Sequence, residues 1–399
     1  MKGDTQRRTT SEIAQLAAAA GQLAIDTEFV SERRYRTLLC LVQVAVPDPS
    51  APGGVRCAAL DPLAGFDREP LARVLADPAV EVVMHAGRQD VALLRRELAT
   101  DIHNLFDTQV AAGFAGFSAQ EGYQTLVRQL VGVRIEGGEG FTRWDQRPLT
   151  EAQLRYALDD VRYLLALAEE LKRRLEQLGR LEWAREESRA IEEISDARDP
   201  LQIVRRLPRA GRLSGEQRAV ALGLVEWREQ RAAQLDRPPA TVLADHVLVE
   251  LARRRPRTRS ELRAVRGLDG HVSGRTAEEL LAVVERSRHR EPPPAPPQPP
   301  QRDPSEQPIA SLAQALVRQR AREAGIATEL VATQSELQAF VAAVRRGDAP
   351  TGRLAAGWRH ELVGRELVQL VKGELALSAG SDGLRVIDVA PLAREQGTQ

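Results

Sequence analysis

The sequence predicts an α/β domain built on a mixed sheet, followed by two small all-α units. Three observations predict it. Up to about residue 165, short β-rich runs alternate with helical patterns. Between about 150 and 290 the pattern is continuously helical. A proline-rich stretch at 291–304 then interrupts the helices before two further amphipathic segments close the chain. At 399 residues the chain exceeds one ordinary core, because domains run to roughly 100–200 residues. The expected division is 1–195, 209–290 and 305–399, with 291–304 as linker.

In order, LAIDTEFV, LLCLVQVAV, VRCAALD and VEVVMHAG read as strands, and PLARVLAD and QDVALLRREL as helices. The second and third strands flank the turn-rich PDPSAPGG, which predicts an antiparallel hairpin inside a mixed sheet. A long helix follows in LTEAQLRYALDDVRYLLALAEELKRRLEQLG, with Thr150 as N-cap and Gly179 just past the end. EPPPAPPQPPQRDP cannot form a helix and is expected to be extended. Beyond it, IASLAQALVRQRAREAGI and TQSELQAFVAAVRRG carry helical periodicity, while ELALSAGSDGLRVIDV stays open between helix, hairpin and tail.

An apolar share of 43% supplies real cores, and 28% charged residues argue for a soluble protein rich in charged helices. The first residues lack a signal-peptide pattern, and nothing approaches 18 consecutive apolar residues, so a cytosolic protein with no membrane partner is expected. Cys40 and Cys57 lack metal-site spacing and are expected to be buried, reduced thiols. Net charge is zero, but residues 209–290 hold 17 Lys/Arg against 11 Asp/Glu, about +6, which leaves about −6 elsewhere. Such polarisation suits a protein that grips phosphates with one part and gathers cations with another.

The chemistry-bearing residues are acids. Asp26 and Glu28 are two apart on a strand, so both point to one face. Like charges on a largely buried strand repel and lose hydration, a cost that a bound cation removes. Asp90 falls near a helix start, where the macrodipole also favours an acid. Tyr156 and Asp160, four apart, share a helix face, whereas Asp159 lies about 100° around it. Four converging carboxylates would hold two divalent ions that clamp a phosphodiester, with the Tyr156 phenol orienting a water. His85 reads as a hydrogen-bonded structural histidine. No Walker-type loop is present, which argues against an ATPase.

The segments AIDTEFV, HAGRQDVALL and YALDDVRYLL, in this order, resemble the three exonuclease motifs of the ribonuclease D family, within the DEDD superfamily of 3′→5′ exonucleases. The resemblance implies a ribonuclease-H-like fold and two-metal hydrolysis, with Mg²⁺ or Mn²⁺, that releases nucleoside 5′-monophosphates. It implies Asp26, Glu28, Asp90 and Asp160 as metal-binding acids and Tyr156 as the residue orienting the nucleophilic water. A sister subclass carries His where this chain has Arg155, so the tyrosine subclass is the one resembled. The resemblance runs on through FDTQVAAGF, WDQRPLT and LEWAREESR, where Asp107 reads as a scaffold or helix-start acid and Trp144 as packing. Two departures stand out: Arg143 occupies the place of a usual acid, and the Gly137-Gly138 region that of a common lysine.

Residues from about 210 to 288 resemble the helicase-and-RNase-D C-terminal (HRDC) domain, a nucleic-acid-binding module, and the last unit is similar to the second helical domain of the same enzymes. Arg253, Arg254, Arg255, Arg257 and Arg259 are the candidate phosphate contacts. The implied substrate is RNA, above all transfer-RNA precursors and other structured RNAs, with no obligatory protein partner. Two alternatives share parts of the pattern. One is a DNA-directed 3′→5′ exonuclease, which the absence of a polymerase or helicase region disfavours. The other is an inactive RNA-binding adaptor, which the intact acids disfavour.

Overall fold

A computed structural model describes residues 2–136, 142–268, 274–295, 305–381 and 383–389, with side chains from residue 9 onward. The main sheet has five strands, β1 (Gln22–Val30), β2 (Leu38–Pro47), β3 (Val55–Leu60), β4 (Glu81–Met84) and β5 (Leu105–Asp107). Their order is β3-β2-β1-β4-β5. The three strands joined by short turns pair antiparallel, while β4 and β5, each reached through a helix, run parallel to their neighbours. The sheet is mixed, as expected. β5 is an addition to the strands legible in the sequence.

Alternation along β1 divides the domain into two layers. Leu23 and Ile25 enter a core with α1 (Lys2–Ala20), α2 (Arg68–Ala76) and α3 (Arg88–Leu98), while Ala24 faces a second core shared with α4 (Thr108–Phe114) and later helices. After α5 (Tyr123–Leu126), the long helix expected from residue 150 forms as two. These are α6 (Glu151–Arg162) and α7 (Leu164–Gln177), with Tyr163 at the break. Thr150 caps α6 through a reciprocal capping box with Gln153, and Gly179 sits just past α7 at φ +66°. α8 (Leu181–Glu192) closes this part.

The following helices are α9 (Pro200–Arg206), α10 (Gly215–Leu235), α11 (Pro239–Val242), α12 (Asp245–Arg254), α13 (Arg259–Arg263) and α14 (Gly274–Arg288). They enclose a hydrophobic cluster of their own. They touch the sheet domain through polar groups on the β1–β2 loop. Arg34 pairs with Asp236 at 2.8 Å, the Tyr35 hydroxyl donates to Glu229 at 3.1 Å, and Arg198 from the connecting segment also pairs with Glu229.

The last unit comprises α15 (Glu306–Ala324), α16 (Thr328–Val331), α17 (Gln334–Arg346), α18 (Gly357–Arg359) and α19 (Arg365–Lys372). It adds a two-stranded antiparallel hairpin, β6 (Leu375–Gly380) and β7 (Gly383–Asp388), which resolves the segment left open by the sequence and departs from an all-α unit. Its buried residues belong to one cluster with α4, α7 and α8. Trp358 stacks on Trp183 at 5.3 Å and meets Phe114 edge-on at 4.9 Å. Beside it the buried Arg359 pairs with Glu187 and donates to the Leu330 and Val331 carbonyls. Burial pushes the Glu187 carboxyl up, but the hydrogen bonds and charge of Arg359 outweigh it and hold the group low. Cys40 is buried, Cys57 half-buried, and both are free thiols. Of the proline-rich linker, residues 296–304 lie outside the described residues.

Candidate active site

β4 pairs with β1 only as far as Ala24–Val83, so β1 runs on past the carboxyl end of its parallel neighbour and carries Asp26 and Glu28 into the crevice beyond. Ligand sites of α/β sheets form in such crevices. On its other edge β1 pairs with β2 through an irregularity in which Glu28 faces Leu41 and Phe29 faces Leu39, leaving Cys40 as the extra residue. A bulge of this kind re-aims side chains near a site.

Asp26 lies on the Ala24 face, and α6 packs against this side of β1, β2 and β3. The structure thus brings Asp160 of α6 to the two strand acids, and carboxylate oxygens of Asp26, Glu28 and Asp160 lie within 4.8 Å of one another. Tyr156, one turn earlier on the same helix face, lies beside Asp160, and each influences the other's ionisation. Asp159 turns away and accepts from Arg162 at 2.9 Å.

Asp90 reaches the site from the opposite layer. It is buried at the start of α3, and its carboxylate accepts a hydrogen bond from Thr27, the residue between the two strand acids on the Leu23 face. It stands outside the three-carboxylate cluster, yet its charge is the strongest single-residue influence on Asp26. Gln43, fully buried and directly across the β1–β2 ladder, donates to Asp26 Oδ2 at 3.3 Å. The sequence reading missed both partners. The one available signal was a glutamine inside the apolar run LLCLVQVAV.

The turn between β4 and α3 is held by Asp107. Its fully buried carboxylate accepts from the Ala86, Gly87, Gln109 and Val110 N–H groups, at 2.8–3.2 Å, so it caps α4 and fixes the approach to α3 at once. Gly87 fits because a Cβ there would come 2.6 Å from Met84 Sδ. His85 hydrogen-bonds Thr108 at 3.0 Å and lies against Tyr123. Trp144 is buried beside Tyr156, with ring centroids 6.2 Å apart, which is a packing role. Arg143 is exposed and forms a two-pronged pair with Asp145, while Gly137-Gly138 lies outside the described residues.

Among the described residues no Lys, Arg or His forms an ion pair with any of the four acids. Their ionisation shows the consequence. Burial, followed by the charges of Asp90, Asp160 and Glu28, pushes Asp26 well above the carboxylate range. Burial and then the neighbouring acids raise Glu28 to about 8. Burial raises Asp160 to about 7 against the lowering influence of the neighbouring Tyr156 hydroxyl, and Asp90 to about 6 against the hydrogen bond from Thr27. Tyr156 is pushed up by burial and then by Asp160 and Glu28, so its phenol stays protonated. Oxygen-only donors that repel one another and lack a protein counter-charge fit hard divalent cations.

The arginines proposed for RNA docking divide in the structure. Arg254 pairs with Glu250, Arg255 with Glu216 and Arg259 with Glu278. Arg253 and Arg257 are exposed, with no ion pair among the described residues.

A 3′-5′ exonuclease family model matches residues 4–176, the span that carries this sheet and its acids. An HRDC domain model matches residues 217–284, inside the module read from the sequence. The chain is 36% identical to ribonuclease D of Jannaschia sp. over 96% of its length and 98% of that protein's, and 35% identical to ribonuclease D of Acidiphilium cryptum over 96% of both. Its structure is similar to that of Escherichia coli RNase D, an exoribonuclease involved in structured RNA processing. The TM-score is 0.78 at 28% identity, covering 92% of this chain and 98% of that one. The chain belongs to the ribonuclease D family and is a 3′→5′ exoribonuclease. RNA is therefore its substrate class, and an inactive adaptor is set aside.

Proposed function

We propose that Asp26, Glu28, Asp90 and Asp160 hold two divalent cations, Mg²⁺ or Mn²⁺, and that Tyr156 positions the water that attacks the terminal phosphodiester. The convergence of three carboxylates from β1 and α6 without a protein counter-charge carries this reading. Two cations in such a site acidify the attacking water and stabilise the leaving 3′-oxygen. The protein's own groups set the geometry. Gln43 leaves one Asp26 oxygen free of hydrogen bonds to it, and Thr27 fixes the Asp90 carboxylate. The protonated Tyr156 hydroxyl, beside Asp160, has lone pairs with which to accept from the water. The water gives up a proton to solvent as its oxygen joins phosphorus, the bond to the 3′-oxygen breaks, that oxygen takes a proton back from solvent, and a nucleoside 5′-monophosphate leaves.

We further propose residues 209–290 as an HRDC docking unit and 305–399 as a second, HRDC-like unit, with Arg253 and Arg257 as phosphate contacts alongside the self-paired Arg254, Arg255 and Arg259. Precursors of transfer RNA with 3′ extensions are the proposed substrate, and the cytoplasm the proposed location. No helix among the described residues is long and apolar enough to cross a membrane.

The test is single-turnover cleavage of a 3′-extended transfer RNA, with and without EDTA, by the parent and by Asp26→Asn, Asp160→Asn and Tyr156→Phe. The two asparagine variants should lose cleavage while RNA binding stays within a few-fold. Tyr156→Phe should be slower by about 10²–10⁴-fold with Mn²⁺ affinity little changed. Near-parental turnover in either asparagine variant would sink the metal-site assignment.

A further inference from the structure

In the HRDC unit, α10 and α14 lie side by side and leave a cleft of about 310 Å³ between their outer faces. Trp227, Arg231 and Gln234 line it from α10, at the i, i+4 and i+7 spacing of one helix face; Arg275, Glu279 and Arg286 line it from α14. The indole is half-buried, packed partly against the unit's core, and its Nε1 donates to one Glu279 oxygen at 3.1 Å while Arg275 holds the other at 3.3 Å. One carboxylate therefore pins the ring edge and takes up one arginine. Among the described residues the other two arginines form no ion pair: Arg231 donates to Gln234 at 3.4 Å, and Arg286 is exposed.

The contrast with the Arg253–Arg259 segment is informative, because three of its five guanidiniums are spent on Glu250, Glu216 and Glu278. We propose that the Trp227 cleft binds one unpaired nucleotide of a single-stranded RNA segment, with the base on the indole and the flanking phosphates on Arg231 and Arg286. Aromatic faces accept any base, and arginines beside them take the backbone, a combination that recognises single strands without reading sequence. The cleft's size fits one nucleotide, and its charge, positive with Glu279 already engaged, fits a phosphate. The proposal rests on RNA being the substrate and adds a second holding point distant in sequence from the acids.

The experiment uses the full chain in EDTA and fluorescence anisotropy with two probes, an RNA hairpin carrying an unpaired 3′ tail and the same hairpin with a blunt end. Trp227→Ala should weaken binding of the tailed hairpin about tenfold, and Trp227→Phe, which keeps an aromatic face, should recover most of it. The double variant Arg231→Ala/Arg286→Ala should weaken binding and lower the salt slope by about 1.4, at about 0.7 per released charge on single strands. It alters surface groups only, so it carries the test if Trp227→Ala fails to fold. Titrations of the double variant or of Trp227→Ala that superimpose on the parent's would overturn the proposal. Equal weakening on both probes would do so too, because the cleft would then read duplex phosphates. Metal-dependent shortening of an oligoribonucleotide by the parent chain tests the enzymatic reading separately.

Discussion

The two helical appendages attach to the catalytic domain in opposite ways. The HRDC unit has its own hydrophobic core and meets the β1–β2 loop through Arg34, Tyr35, Arg198, Glu229 and Asp236. The C-terminal unit shares its core with α4, α7 and α8, through the Trp358–Trp183–Phe114 stack and the buried Arg359–Glu187 pair. Similar secondary structure thus serves two purposes. A unit joined by a few polar groups separates at lower cost, because an exposed pair such as Arg34–Asp236 contributes about 0–1 kcal/mol, and only Glu229, held by Tyr35 and Arg198, is buried in this joint. A unit joined by buried aromatic area cannot separate without opening the catalytic domain's own core.

The largest effect that could break this comparison is expected at the aromatic joint. Trp358→Ala removes a fully buried indole and should destabilise the catalytic and C-terminal units together by about 3–5 kcal/mol, seen in calorimetry as one transition moving to lower temperature. If only the C-terminal unit melted early, the shared core would not be a cooperative unit.

Metal and pH should sharpen the difference, with an intermediate effect. In metal-free protein Glu28, Asp160 and Asp90 carry raised values of about 8, 7 and 6 against ordinary values of 4.5, 3.8 and 3.8. The folded state then binds more protons than the unfolded one, so this contribution is fully present below about pH 4 and is lost as pH rises towards 8. The catalytic transition should fall across that window and be restored by Mg²⁺ or Mn²⁺, with the HRDC transition unmoved by the metal. A metal response in the HRDC transition alone would reverse the assignment.

The smallest effect belongs to the polar joint. Asp236→Ala, which frees Arg34, should change stability by about 1 kcal/mol or less. It should nonetheless raise the proteolytic susceptibility of the β1–β2 loop. A large drop in Tm would show that this joint carries more than its exposed ion pairs suggest.

The sequence was most legible where a short-range period decided the outcome. Alternation placed Asp26 and Glu28 on one face, and the four-residue spacing paired Tyr156 with Asp160. Four of the five strands in the main sheet followed from β-rich runs, whereas three-residue β5 is too short to carry a period. The break at Tyr163 was equally hidden, since LDDVRYLL holds no helix-breaking residue. Longer-range facts could not be read at all. The Thr27–Asp90 bond depends on α3 covering the Leu23 face, and the Gln43–Asp26 bond on the β1–β2 register. The arginine run looked like free charge because its partners Glu216 and Glu278 lie 39 and 19 residues away in sequence.

Asp107 has a consequence beyond holding the turn. Its carboxylate is saturated by backbone donors, so it offers no vacant oxygen to an ion, yet its negative charge is felt at both Asp90 and His85. The crevice is therefore more attractive to cations than its four candidate acids alone would make it. Asp107 works as a permanent background field, built into the backbone scaffold, that a tally of coordinating groups leaves out.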